Sequence, residues 1–202
     1  MVKPWPEGIE KAALREGRAL RIAPAYDNNS SSMESVMMWR MIRTIIILPG
    51  TALVIVPGVI LWFTASTGFA GALAGPGQPQ FWAGLFTLGF GLFFGIWTAR
   101  LFVTIGKGTP APWDPPRKLV VKGPYRHVRN PMITSVLFML WGESLLLQSW
   151  PLAGWGIFFF AANAIYFPLS EEKGLERRFG QDYRMYKKYV PRWVPRIRPW
   201  EP

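Results

Sequence analysis

No cysteine occurs among the 202 residues of this chain. That excludes disulfides, thiolate nucleophiles, Cys-ligated zinc and haem attached through thioethers. Histidine occurs once, as His127, which argues against a His-rich metal centre, so no metal site is expected. Acid is scarce as well, with 12 Asp and Glu against 23 Lys and Arg and a formal charge of +11. Charge of either sign is missing altogether from Thr44 to Ala99, a run long enough for two helices of the roughly 20 residues needed to cross a bilayer. No short apolar stretch followed by a small-residue cleavage site lies near Met1, so no cleavable signal peptide is expected.

The chain that remains is 50% hydrophobic and 15% aromatic, a composition for a membrane protein rather than a soluble basic domain. Its cations fall into three segments, with 7 in residues 1–43, 7 in 100–130 and 9 in 171–202. The two remaining connections carry none. This is the positive-inside distribution, which predicts both termini in the cytoplasm and accounts for the charge without nucleic acid as a partner.

Residues 1–43 read as an N-terminal cytoplasmic basic segment. Lys11, Arg15, Arg18 and Arg21 are interleaved there with apolar residues, and a polar linker, DNNSSSMES, follows. Residues 44–202 read as one membrane-embedded domain. A first span at 44–63 contains Pro49 and Pro57 and is expected to kink, with its freed carbonyls met by neighbouring helices. A Gly/Pro-rich outer loop leads to a second span at 81–99, where Gly84, Gly91 and Gly95 lie near one face and predict close helix packing. A Pro-broken segment follows Arg100. The third span opens at Pro131 and runs to Trp150. Pro151 and Gly154 then mark an outer turn, and the fourth span runs from Leu152 to Ser170. In the tail, Leu175, Phe179, Tyr183, Tyr186 and Val190 form an apolar stripe at helical spacing, expected to lie along the membrane surface, with Gly180 as a break and Pro191 as the stop.

Between the second and third spans sits RKLVVKGPYRHVRNPMITS, residues 117–135, which crowds five cations, the one histidine and a Gly-Pro pair into a short loop. The antiparallel hairpin of spans three and four brings this loop beside Glu171 and Glu172. Carboxylates at the end of a transmembrane helix need partners or a task. Here they either pair with Arg126 or Arg129 or take part in a site. His127 is open to two readings, a general base or a residue at headgroup level. Glu143, the ionisable residue inside a span, either lines a polar part of a lipid-accessible cavity or hydrogen-bonds Asn163 or Ser144.

The order G-P-Y-R-H-V-R-N-P, E-E-x-x-L, F-G-x-x-Y-x-x-Y and V-P-R, with a membrane hairpin between, resembles the integral membrane methyltransferases related to isoprenylcysteine carboxyl methyltransferase and the phospholipid methyltransferases. The resemblance covers about Arg117 to Pro195. It implies a cytoplasmic-face site for S-adenosylmethionine made by Leu119, Val120, Tyr125, Arg129, Asn130, Pro131 and Glu171, with Glu172 adjoining and Arg117 and Lys118 approaching. Within that set, the resemblance assigns the catalytic roles to Glu171 and Arg129. The family's R-H-P-x-Y-x-G reads here with Asn130, Ile133 and Ser135 in place of its His, Tyr and Gly. Asn130 keeps an amide donor and acceptor but cannot act as a base.

The expectation is therefore an all-α polytopic membrane protein with about four transmembrane helices. It would methylate a carboxyl oxygen or an amine nitrogen of a lipid-like or membrane-partitioned acceptor. The absence of a G-x-G-x-x-G fingerprint argues against a soluble nucleotide-binding domain. The competing reading is a non-catalytic lipid-binding or assembly protein on the same scaffold.

Overall fold

The computed structural model describes Trp39, Arg43, residues 47–108 and residues 115–201. The chain divides into Met1–Trp39 and Arg40–Pro202. Only the second unit is described below, and the basic amphipathic N-terminal segment expected from the sequence lies outside the described residues.

Among those residues the protein is all helix. Three helices are long and apolar enough to cross a membrane: α1, Ile47–Thr64; α2, Pro79–Gly106; and α4, Trp150–Tyr189. Between them lies the shorter apolar helix α3, Pro131–Leu146. At 1.5 Å per residue α3 is about 24 Å long. The sequence predicts a third span reaching Trp150, but the chain leaves the helix at Leu147 and turns at Gln148, whose φ is 45°. The Ser144 hydroxyl donates to the Ser149 carbonyl at 3.1 Å and ties off this turn. Pro151 sits in the first turn of α4 rather than in the loop, where its missing N–H costs nothing.

Around Pro57, α1 widens into a π-helical turn at Thr51–Ile55. In that i→i+5 pattern the Ala52 carbonyl would look to residue 57, and proline has no N–H to give. Trp155 of α4 supplies the donor instead, its indole nitrogen 3.0 Å from the Ala52 oxygen. The expectation that neighbouring helices meet the carbonyls freed by proline holds at this position.

Helices α2 and α3 form the closest pair. A Cβ placed on Gly84 would fall 3.0 Å from the Gly142 carbonyl, and one on Gly91 would fall 2.8 Å from that of Ser135. The glycine face of α2 thus lets two backbones approach as small-residue stripes do in membranes. Outward-facing apolar side chains stay uncovered, among them Trp62 at 73%, Phe86 at 72% and Ile165 at 63% exposure. In a chain with apolar helices of spanning length, this surface is the one that meets lipid tails.

Helix α4 continues past Ser170, through a π-helical turn at Phe167–Glu171 that carries Pro168, to Tyr189. From Trp150 to the break at Gly180 it is about 45 Å long, half again the hydrocarbon thickness of a bilayer. Its uncharged apolar part is Trp150–Ser170, long enough to span, and a charged half projects from Glu171 onward. Gly180, with φ 55° and ψ −123°, breaks the projecting half. The apolar stripe of that half does not face a membrane surface. Tyr183, Tyr186 and Val190 are buried against Leu119, Val121 and Trp200, because the loop before α3 and the C-terminal tail fold over them.

Candidate active site

The segment that opens the site begins where α2 ends. The Gly106 carbonyl accepts the backbone N–H of Arg117 at 2.8 Å and of Lys118 at 3.2 Å, which pins the returning chain to the end of that helix. Gly123 then adopts φ 56°, a conformation that penalises a side chain. Pro124 follows in the first turn of a short 3-10 helix, Gly123–Arg126. This turn directs Tyr125 inward, where it is buried, and leaves Arg126 and His127 on the other side of the loop.

Pro131 starts α3, and the residue before it takes φ −117° and ψ 55°, outside the helical region as a residue preceding proline tends to be. Asn130 therefore occupies the N-cap position, yet its side chain makes no capping hydrogen bond. An asparagine here ordinarily spends its oxygen on the first turn. This one does not, and its amide nitrogen is buried without a partner. The Tyr125 hydroxyl and the Arg129 Nε are in the same condition.

These atoms belong to residues that line one cleft of about 730 Å³, counting its open mouth. Leu119, Val120, Tyr125, Arg129, Asn130, Pro131 and Glu171 all border it. Of the residues implied by resemblance, three are not brought there. Arg117 and Lys118 are exposed on the pinned segment. Glu172 turns away into a buried ion cluster, with Arg129 Nη1 at 2.8 Å, Arg192 Nε at 2.6 Å and Lys187 Nζ at 3.1 Å from its oxygens. Burial works to raise the Glu172 carboxyl, but the Arg192 hydrogen bond, the Arg129 charge and Lys187 together hold it below its ordinary range.

The cleft also has walls that sequence reasoning missed. Phe102, Phe167 and Leu175 supply apolar surface, while Tyr183 and Tyr186 close the far side. The two tyrosines are the pair of the F-G-x-x-Y-x-x-Y motif. The Tyr186 hydroxyl donates to the Tyr125 carbonyl at 2.7 Å and so locks the loop to the projecting half of α4. Burial, with Tyr186 close by, pushes the Tyr125 phenol well above its ordinary range, so its hydroxyl stays protonated.

The other candidates fall elsewhere. His127 lies outside the cleft, its Nδ1 2.8 Å from the Arg196 carbonyl. A carbonyl only accepts, so Nδ1 carries the proton. Arg126 pairs with Glu201 near the C-terminus. Glu143 sits one turn before the end of α3, and it pairs with neither Asn163, whose amide donates to Phe159 O at 2.8 Å, nor Ser144, whose hydroxyl is given to Ser149 O.

Chemically, the cleft offers hydrogen-bond donors at Tyr125, Arg129 and Asn130, one carboxylate at Glu171, and an apolar floor. That combination suits a ligand carrying both anionic and cationic groups on a partly apolar body. No curated protein and no solved structure matches the chain. The family model for phospholipid methyltransferases matches residues 79–182, which covers α2, the loop, α3 and α4 as far as the break at Gly180. The chain belongs to the phospholipid methyltransferase family.

Proposed function

We propose that this protein transfers a methyl group from S-adenosylmethionine to a lipid-like acceptor at the cytoplasmic face of the membrane. The observation that carries the reading is the set of buried, partnerless polar atoms on residues that line one cleft, namely the Tyr125 hydroxyl, the Arg129 Nε and the Asn130 amide. Native interiors rarely leave such groups unpaired without a reason. All three lie inside the family-matched segment.

These residues fit the donor. Asn130 and Arg129 present N–H groups suited to a carboxylate or ribose oxygens, and Tyr125 can give or accept one bond. Glu171 supplies a negative charge for an ammonium or sulfonium. When bound, a sulfonium donor brings a methyl group that is already activated, so the protein has mainly to align the two reactants and exclude water. Phe102, Phe167 and Leu175 serve exclusion. A carboxylate acceptor needs no base, whereas an amine must lose a proton. Glu171 is the acid among the lining residues, so in this reading its carboxylate would take that proton; His127 lies outside the cleft.

Of the departures from the family pattern, Ser135 is accommodated within the packing. Its hydroxyl donates to Met132 O at 2.6 Å and occupies the space that the missing Cβ of Gly95 leaves open, 3.0 Å away. Ser135 therefore does not by itself favour a non-catalytic reading. Direct titration with S-adenosylmethionine in detergent tests the enzyme reading, and a folded sample without binding would overturn it. Mass spectrometry of lipids after incubation with methyl-labelled donor then identifies the acceptor. The charge distribution supports a cytoplasmic site; reporter fusions at Pro202 and near Gly75 should read inside and outside respectively.

A further inference from the structure

Beyond the family-matched segment, the C-terminal tail runs back along the outer side of the loop that walls the cleft. Three backbone hydrogen bonds join them, from Arg129 N to Pro191 O at 2.9 Å, Arg196 N to His127 O at 3.0 Å and Trp200 N to Arg126 O at 3.0 Å. The order is antiparallel, 129 with 191 and 126 with 200, so the tail acts as a strap across the whole Arg126–Arg129 stretch. Between its attachments the strap leaves large apolar side chains in the open, with Val194 76% and Ile197 96% exposed. Such exposure is costly in water and expected against lipid. Trp193 gives the direction, because its ring lies 6.0 Å from Phe167, near the cytoplasmic end of the apolar part of α4, and 5.2 Å from Phe160, two turns further along it. The strap therefore reaches the apolar part of α4 before returning to the loop. Its charge is all of one sign from Val190 to Trp200, with three arginines and no acid. Arg198 is exposed next to Ile197.

We propose that residues 191–200 form an interfacial anchor for anionic phospholipid, and that this anchoring holds the Arg126–Arg129 loop in place. Tryptophan and exposed aliphatic side chains would enter the boundary between headgroups and acyl chains. Arg192 is spent on Glu172, so Arg196 and Arg198 would draw the strap to negatively charged headgroups, each worth about fivefold in partitioning near the surface. The strap shares its backbone bonds with the loop, so fixing one end in the bilayer slows opening of the other. The inference does not require that the cleft bind a methyl donor.

The test uses the full chain in lipid nanodiscs, one set of phosphatidylcholine alone and one containing phosphatidylglycerol. The protein has no cysteine, so Ile197→Cys gives a single labelling site on a side chain that packs against nothing. A fluorophore there should be quenched by bilayer-confined nitroxide lipids, and shielded from a water-soluble quencher, several-fold more in the anionic discs. Adding Arg198→Gln should cut that preference about fivefold. In the same samples the amide of Arg129 should exchange with deuterium more slowly in anionic than in neutral discs. A label that stays in water in anionic discs, or an insertion indifferent to lipid charge, overturns the anchor. Insertion without any change in exchange at Arg126–Arg129 overturns its hold on the loop.

Discussion

Arg129 donates its Nη1 to Glu172 Oε1 at 2.8 Å with both side chains sealed, 8% and 4% exposed, and this bond divides the labour of two adjacent carboxylates. Glu172 is committed to the ion cluster, while Glu171 borders the cleft. Removing one member of a buried pair leaves its partner charged and unpaired, at a cost of about 3 to 5 kcal/mol. Glu172→Gln should accordingly lower the thermal midpoint in detergent sharply. Glu171→Gln should leave the midpoint nearly unchanged and weaken S-adenosylmethionine binding instead. The paired measurements are thermal unfolding and ligand titration, and the reverse pattern would mean the two roles are exchanged.

Acid should dissolve the same cluster. The folded-state pKa of Glu172 lies below its ordinary value of 4.5. Stability from this group is therefore fully present above that ordinary value and is lost as pH falls from there through the depressed one. The thermal midpoint of the native protein should fall across that window more steeply than that of Glu172→Gln, which has no such carboxylate to protonate. Parallel acid limbs would assign the loss to other groups.

The parts of this molecule that could be read from sequence are those set by local chemistry. The charge-free run marked α1 and the apolar part of α2, and the glycines at 84, 91 and 95 marked the face that meets α3. Proline positions gave the start of α3 and the irregular turn in α1. What escaped was set by distant partners. The stripe Tyr183–Tyr186–Val190 has the period of a surface helix whether its cover is lipid or protein, and only folding shows that Leu119, Val121 and Trp200 provide it. Helix α4 was expected to end near its two glutamates, but the cations that neutralise Glu172 lie 43 residues before it, 20 after it and, beyond the break at Gly180, at Lys187. In the site, the cleft-lining set was legible through motif order. The split between Glu171 and Glu172 was not, because adjacent residues on a helix face about 100° apart and the sequence does not say which one points inward.

A tyrosine pair separates ligand binding from stability. The Tyr125 hydroxyl is buried and unpartnered, so Tyr125→Phe removes an unsatisfied group and should not lower the thermal midpoint. It should weaken S-adenosylmethionine binding by up to about tenfold, the worth of one hydrogen bond. Tyr186→Phe deletes the donor to the Tyr125 carbonyl and leaves that buried oxygen bare, a loss of about 1 to 3 kcal/mol. Its midpoint should drop. Equal midpoints for the two variants would place the buried hydrogen bond elsewhere.

The packing of α2 on α3 can be tested with one substitution made at two glycines. Alanine is worth up to about 1 kcal/mol more than glycine within a helix, and at Gly89 nothing lies within 4 Å of the added Cβ. Gly89→Ala should be neutral or mildly stabilising. At Gly91 the same methyl would fall 2.8 Å from the Ser135 carbonyl and 2.9 Å from the Met139 nitrogen, and backbone cannot swing aside as a side-chain tip can. Overpacking of this kind costs about 1 to 3 kcal/mol, more than the propensity gain, so Gly91→Ala should lower the thermal midpoint. The strain also has a direction. Ser135 sits in the second turn of α3, directly after the turn that carries Asn130 and Pro131 into the cleft, so pushing it away from α2 displaces the donor set as well. S-adenosylmethionine affinity should fall in Gly91→Ala and hold in Gly89→Ala, and a loss of affinity in both would show that α2 reaches the cleft by some route other than the Gly91–Ser135 contact.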